Sequence, residues 1–206
     1  VIVVVDYGVN NLASVARALA ATGHPATLSS DPDVVRRAER VLMPGVGHFA
    51  RASANLAESG LGAAVQEAAA AGTPVMGICL GLQLCCSASE EAPGVAGLGL
   101  LPGRIARFRT TLHVPHVGWA RVLPTPAGRV HPVTGPLLGE DGTFYYHVHS
   151  YHPVDVPEAN VLGTGDYDGV FATLIARDNV LGAQFHPEKS QQAGLALLDA
   201  FARWTP

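Results

Sequence analysis

Residues 1–5, Val-Ile-Val-Val-Val, are β-branched without interruption, and so short an apolar run reads as a strand buried on both faces. A polar, glycine-containing turn follows at residues 6–11. Apolar positions then recur at helical spacing, Leu12, Val15, Ala16 and Leu19, and predict a helix over 12–21. Residues 25–28 read as a second strand, and Asp31 is placed to cap a short helix that begins at Pro32. The pattern goes on to predict a strand at 40–43, a helix at 61–71, a strand at 74–78 and a helical stretch at 80–86. Strands alternating with helices at this spacing argue for a mostly parallel sheet covered on both faces.

From about residue 92 glycine and proline become frequent and the apolar runs shorten. Residues 103–108, 144–148, 160–164 and 170–176 read as strands, antiparallel additions to the same sheet. A further strand is expected at 179–185, and 191–204 reads as a closing helix with Leu195, Leu198 and Phe201 on one face. No internal repeat or low-complexity linker divides the chain. The expected architecture is one α/β domain over 1–206.

Composition narrows the function classes. A chain of 206 residues, 48% hydrophobic and 15% charged, is a folded globular protein. A formal net charge of −4 leaves no basic footprint, so nucleic acid is not an expected partner. No apolar run reaches the roughly 20 residues that span a bilayer, and the opening residues lack the basic region and cleavage site of a signal peptide. A soluble cytoplasmic protein is the expectation. Three cysteines make no disulfide framework, and Cys85 and Cys86 read as small buried core residues. Lys189 is the only lysine among 13 basic residues.

The third cysteine differs. Cys79 stands in Gly77-Ile78-Cys79-Leu80-Gly81, at the turn from a predicted strand into a predicted helix. A nucleophile on such a turn is exposed at the sheet's end, and the flanking glycines are expected to permit unusual backbone angles and let a substrate approach. The helix N-terminus favours a thiolate. A thiol nucleophile needs a base and a group that orients the base. Of nine histidines, His24, His48, His113 and His131 lie beside turns and read as structural. His147, His149 and His152 alternate along one segment, but no carboxylate or cysteine completes a metal set there, so no metal is expected. His186 closes a predicted strand in Gln184-Phe185-His186-Pro187-Glu188-Lys189-Ser190. Pro187 keeps His186 extended, and residues i and i+2 of an extended segment share a face, which places Glu188 beside the imidazole. Cys79 and His186 both follow strands, where open sheets put their sites. The N–H of Leu80 is the expected oxyanion donor, and Pro44-Gly45-Val46-Gly47 can point a second, at Val46 or Gly47, toward the same place.

With these segments, and with Asp6-Tyr7-Gly8, Asn11-Leu12, the run from Gly77 to Leu84, Pro115-His116-Val117-Gly118-Trp119 and His149-Ser150-Tyr151, the chain resembles the class I (triad) glutamine amidotransferases. Among these it looks like the glutaminase subunits of imidazole glycerol phosphate synthases, over nearly its whole length. The resemblance implies a flavodoxin-like α/β fold, no cofactor, and glutamine hydrolysis through a Cys79 thioester, with His186 as base and then acid and Glu188 as orienter. Gly45, Gln83, Ser150 and Tyr151 match positions that hold the substrate glutamine. Asn11, Trp119 and Lys189 match positions at the interface with a partner cyclase, a (βα)₈ barrel that consumes the ammonia for histidine biosynthesis. Asn10, Ala50 and Ala120 depart from the family pattern. Rival readings are an amidotransferase subunit serving another pathway, a partnerless cysteine hydrolase, and an inert interaction module.

Overall fold

The opening β-branched run forms β1 (Ile2–Val5), buried at every position, in a computed structural model that describes residues 1–206. The chain continues through α1 (Leu12–Ala21), β2 (Ala26–Ser29), α2 (Pro32–Arg36), β3 (Arg40–Met43), α3 (Phe49–Glu58), α4 (Leu61–Ala70), β4 (Val75–Ile78) and α5 (Leu80–Cys85). Then follow β5 (Arg104–Arg107), β6 (His116–Pro124), α6 (Pro126–Val130), β7 (Thr143–His149), β8 (Tyr151–Val154), β9 (Val161–Asp166), β10 (Val170–Arg177), β11 (Val180–Ala183) and α7 (Gln191–Arg203).

Nine strands form one sheet in the order β2-β1-β3-β4-β11-β10-β9-β6-β7. Pairing is parallel from β2 to β11 and antiparallel from β11 to β7. Period-2 alternation splits the parallel half into two cores. Val3, Val5, Val41 and Val75 pack toward α2, α3, α4 and α5, while Ile2, Val4, Leu42 and Met76 pack toward α1 and α7. Helix α7 buries Leu197, Leu198 and Phe201, each contributing roughly 1.5–3 kcal/mol by removal from water.

The structure departs from the sequence reading in several places. Helix α3 was not expected; His48 caps it by accepting the Ala50 N–H at 3.2 Å, and Phe49, Ala52 and Leu56 form its buried stripe. Strand β6, strand β8 and the short α6 were not expected either. Strands β5 and β8 do not join the large sheet. Ser150 interrupts the chain between β7 and β8, and β8 leaves to pair with β5 as a separate two-stranded ladder. In α1 the buried face holds Ala18 rather than Ala16, and in α7 Leu197 rather than Leu195 lies in the core with Leu198 and Phe201.

The antiparallel half curls so that its last strand, β7, reaches the segment after β11. The His186 N–H donates to the Tyr146 carbonyl at 2.9 Å. The Tyr146 N–H donates to Ser190 Oγ at 2.9 Å, and that hydroxyl donates to the His186 carbonyl at 2.7 Å. Tyr145 stacks on Phe185 with ring centroids 4.0 Å apart. These bonds occupy an edge that would otherwise be open for pairing, and they fix the backbone of His186.

Candidate active site

Strands β4 and β11 are parallel neighbours in register, with Ile78 opposite Ala183. The Cys79 N–H donates to the Ala183 carbonyl at 2.8 Å, so the turn after β4 and the segment after β11 leave the sheet side by side. At Cys79 the backbone takes φ 52 and ψ −107, which few residues other than glycine adopt. The strained angles therefore fall on the cysteine itself. The flanking glycines serve close packing instead. A Cβ on Gly81 would lie 1.7 Å from the Met43 carbonyl oxygen, and one on Gly77 would lie 2.6 Å from the Leu82 nitrogen. They let α5 pack directly against the strand ends, and the turn is sharp because of it.

His186 Nδ1 lies 2.8 Å from Glu188 Oε1, and both side chains are buried. The pairing does not arise from continued strand geometry. Residues Pro187–Lys189 form a turn of 3₁₀ helix, and that turn folds the Glu188 carboxylate back under the imidazole. Nε2 is buried without a full hydrogen bond, the Cys79 sulfur beside it. Burial pushes the His186 pKa down, but contact with Cys79 and Glu188 outweighs it and raises the value to about 10. Gln184 Nε2 approaches the sulfur at 3.7 Å. Burial raises the Cys86 thiol to about 12 and Cys85 well above the ordinary range. Both are fully buried core residues, as expected.

A cavity of about 260 Å³ opens over the sulfur, lined by Val46, Gly47, Cys79, Leu80, Gln83, Glu91, Ser150 and Tyr151 among others. Gln83 is held by Nε2 donating to the Tyr151 carbonyl and to Gln184 Oε1, both at 3.3 Å. Gly45, expected at the substrate, is not part of this wall. It is buried beneath it, because the Tyr7 hydroxyl donates to the Pro44 carbonyl at 2.6 Å and covers the Gly45 Cα. The Leu80 N–H, expected to be free for an oxyanion, donates instead to the Gly45 carbonyl at 3.3 Å.

Glu91 was not anticipated. It is the one carboxylate lining the cavity, fixed by the Phe49 N–H at 2.7 Å. Nothing in the local sequence separates it from Glu90, which turns outward to Arg104. His149, grouped in the sequence with His147 and His152, also lines the cavity. These three do not converge on a common point. Their ring nitrogens engage the carbonyls of Tyr145, Tyr151 and Pro153 and the Thr173 hydroxyl. Trp119 and Lys189 are exposed, whereas Asn11 turns its side chain inward to Glu188.

A thiol on a strand–turn–helix elbow, backed by a buried His–Glu pair and opening on a cavity lined by both polar and apolar groups, is the equipment of acyl-transfer enzymes that use a cysteine nucleophile. The family model for class-I glutamine amidotransferases matches residues 3–203, and the chain belongs to that family. A Moorella thermoacetica protein named imidazole glycerol phosphate synthase subunit HisH is 47% identical over 201 residues, covering 97% of this chain and 93% of its own length. A protein of the same name from Symbiobacterium thermophilum is 45% identical over 203 residues, covering 98% and 93%. Among solved structures, one titled a glutamine amidotransferase superposes with a TM-score of 0.76 at 17% identity, covering 97% of this chain and 98% of its own. PurLQS from Thermotoga maritima superposes with a TM-score of 0.77 at 19% identity, covering 97% and 96%. These two likenesses concern the fold, which is the expected flavodoxin-like α/β architecture. No helix is long and apolar enough to cross a membrane.

Proposed function

We propose that this chain is the glutaminase subunit of an imidazole glycerol phosphate synthase and supplies ammonia to a cyclase subunit in histidine biosynthesis. The observation that carries the chemistry is the alignment of the Cys79 elbow with the His186–Glu188 pair over one cavity. The names of the relatives carry the pathway. Cys79 attacks the side-chain amide carbon of glutamine, and His186 takes the thiol proton and returns it to the leaving ammonia. A γ-glutamyl thioester remains, which water hydrolyses with His186 again as base. Glu188 holds the imidazole in the tautomer this requires. Gln83, Ser150 and Tyr151 hold the substrate, and Glu91 takes its ammonium by charge and hydrogen bonding.

In the present arrangement the oxyanion site is closed by the Gly45 carbonyl. Turning over the Gly45–Val46 peptide would free the Leu80 N–H and bring the Val46 N–H beside it, two donors where the tetrahedral oxygen forms. This gives the partner something to control. The docking face we assign is the outer side of β6 and β7, where Val117, Trp119 and Phe144 are exposed apolar residues, with exposed Lys189 following Glu188 in the chain. A (βα)₈-barrel cyclase is the partner that the family resemblance supports.

The test is ammonia release from glutamine, measured with and without the cyclase and its ligand. Low turnover by the chain alone, raised at least tenfold by the liganded cyclase, is expected. Equal turnover in both conditions would remove the coupling, and no turnover in either would remove the glutaminase assignment.

A further inference from the structure

Asn11 occupies the N-cap position of α1, yet its side chain makes no cap bond and its backbone sits at φ 84. Asparagine in that position ordinarily accepts an N–H from its own helix. Here the side chain leaves the helix and crosses to a residue 177 positions away, donating from Nδ2 to Glu188 Oε1 at 2.5 Å. The same oxygen lies 2.8 Å from His186 Nδ1, and the other oxygen of this buried carboxylate has no partner at all. The orientation of Glu188 therefore rests on two donors to a single oxygen. One is the imidazole it is meant to orient, so beyond the backbone turn that carries Glu188, Asn11 is the only independent hydrogen-bond donor to it.

We infer that Asn11 is a positioning residue, holding the Glu188 carboxylate where it accepts the His186 Nδ1–H and so keeping Nε2 directed at Cys79. This rests on the triad reading above. Asparagine suits this role chemically. An amide donates without charge, leaving the full carboxylate charge for the imidazolium, where a lysine or arginine would compete for it. Asparagine also tolerates the left-handed backbone that aims it inward. A chain segment assigned from sequence to the partner interface thereby reaches the triad through one hydrogen bond. Movement of the loop at residues 8–11 on docking would be felt at Glu188.

Two variants test this at saturating cyclase. Asn11→Gly keeps φ 84 without strain and removes only the amide. We expect kcat for ammonia release to fall roughly 10- to 100-fold, the range found when a hydrogen-bond partner orienting a metal-bound imidazole is removed, with KM for glutamine within about twofold. Asn11→Asp sets a second carboxylate against Glu188, and the two must share a proton. Its activity relative to wild type should rise as pH is lowered from about 8 to 6, a profile that a purely structural tie would not produce. A third readout needs no glutamine: alkylation of Cys79 by iodoacetamide, in which the sulfur displaces iodide. Asn11→Gly should react several-fold more slowly than wild type near pH 7 and equally fast near pH 9.5, where a thiol ionises without help. A kcat for Asn11→Gly within twofold of wild type, a change confined to KM or to cyclase affinity, or an unchanged alkylation profile would each overturn the inference. If wild type released no ammonia while the alkylation profiles still differed, the glutaminase assignment would fall and the role of Asn11 would stand.

Discussion

At Cys79 chemistry and backbone strain meet in one residue. A non-glycine residue at φ 52 and ψ −107 costs about 1–3 kcal/mol, and the bonds from Cys79 N–H to Ala183 and from Gln83 N–H to the Cys79 carbonyl hold it there. Replacing the thiol separates the two properties. Both Cys79→Ala and Cys79→Gly should lose glutamine hydrolysis completely. Their stabilities should fall in the opposite of the usual order, glycine above alanine by about 1–2 kcal/mol in urea unfolding, because only glycine takes these angles freely. If alanine proves the more stable, the strain is not real. The thiol's place on a turn was legible from its neighbours Gly77 and Gly81, but the residue bearing the strain was not. Local sequence marks where a chain bends without saying which bond absorbs the bend.

The strand–turn–helix unit from β4 to α5 works because two main chains touch. A Cβ at Gly81 would enter the Met43 carbonyl of β3, and no rotamer can relieve a collision with backbone. Gly81→Ala should therefore cost about 3 kcal/mol or more and displace the Leu80 N–H from the site. Gly139→Ala, with no neighbour within 4 Å and an ordinary backbone, serves as a control expected within about 0.5 kcal/mol of wild type. Urea midpoints of the two variants check both. The elements that sequence periodicity missed share a reason. Helix α3 follows the Pro44–Gly47 loop and strand β6 follows Pro115, which hide the start of the pattern, and β6 alternates exposed apolar residues such as Val117 and Trp119 with buried or half-buried ones. Its apolar outer face blurs the polar–apolar alternation by which strands are read.

Across the whole molecule, acid is the predicted weakness. His147 and His149 are buried among Phe171, Phe185 and each other. Burial lowers the pKa of His147 to about 3 and that of His149 well below its ordinary value. Their pKa is therefore lower folded than unfolded, and as pH falls below about 6.5 the unfolded chain binds the extra protons. The stability they contribute is complete above about pH 6.5 and lost as pH falls, at about 2 kcal/mol for His147 by pH 5, with a further loss from His149 in the same direction. His186 is shifted the opposite way, so its contribution is complete below about pH 6.5 and constant over this window; it is lost only as pH rises toward 10. Unfolding free energy measured at about pH 6.5 and about pH 5, where the His186 contribution does not change, should thus drop by a few kcal/mol. A flat profile would mean that the histidine cluster admits water.

What the sequence determined by itself is whatever depends on near neighbours along the chain. That includes the parallel βα half, the elbow at Cys79, the capped start of α2 and the His186-Pro187-Glu188 segment, because short-range periodicity, capping and proline geometry act within a few residues. Only the tertiary structure decided what depends on distant backbone being brought together: that β11 lies beside β4 and delivers His186 to Cys79, that Glu91 rather than Glu90 faces the cavity, that the Gly45 carbonyl takes the Leu80 N–H, and that Asn11 abandons its own helix for Glu188. A hydrogen bond between residues 177 apart leaves no local trace, since neither partner's neighbours change their pattern to accommodate it.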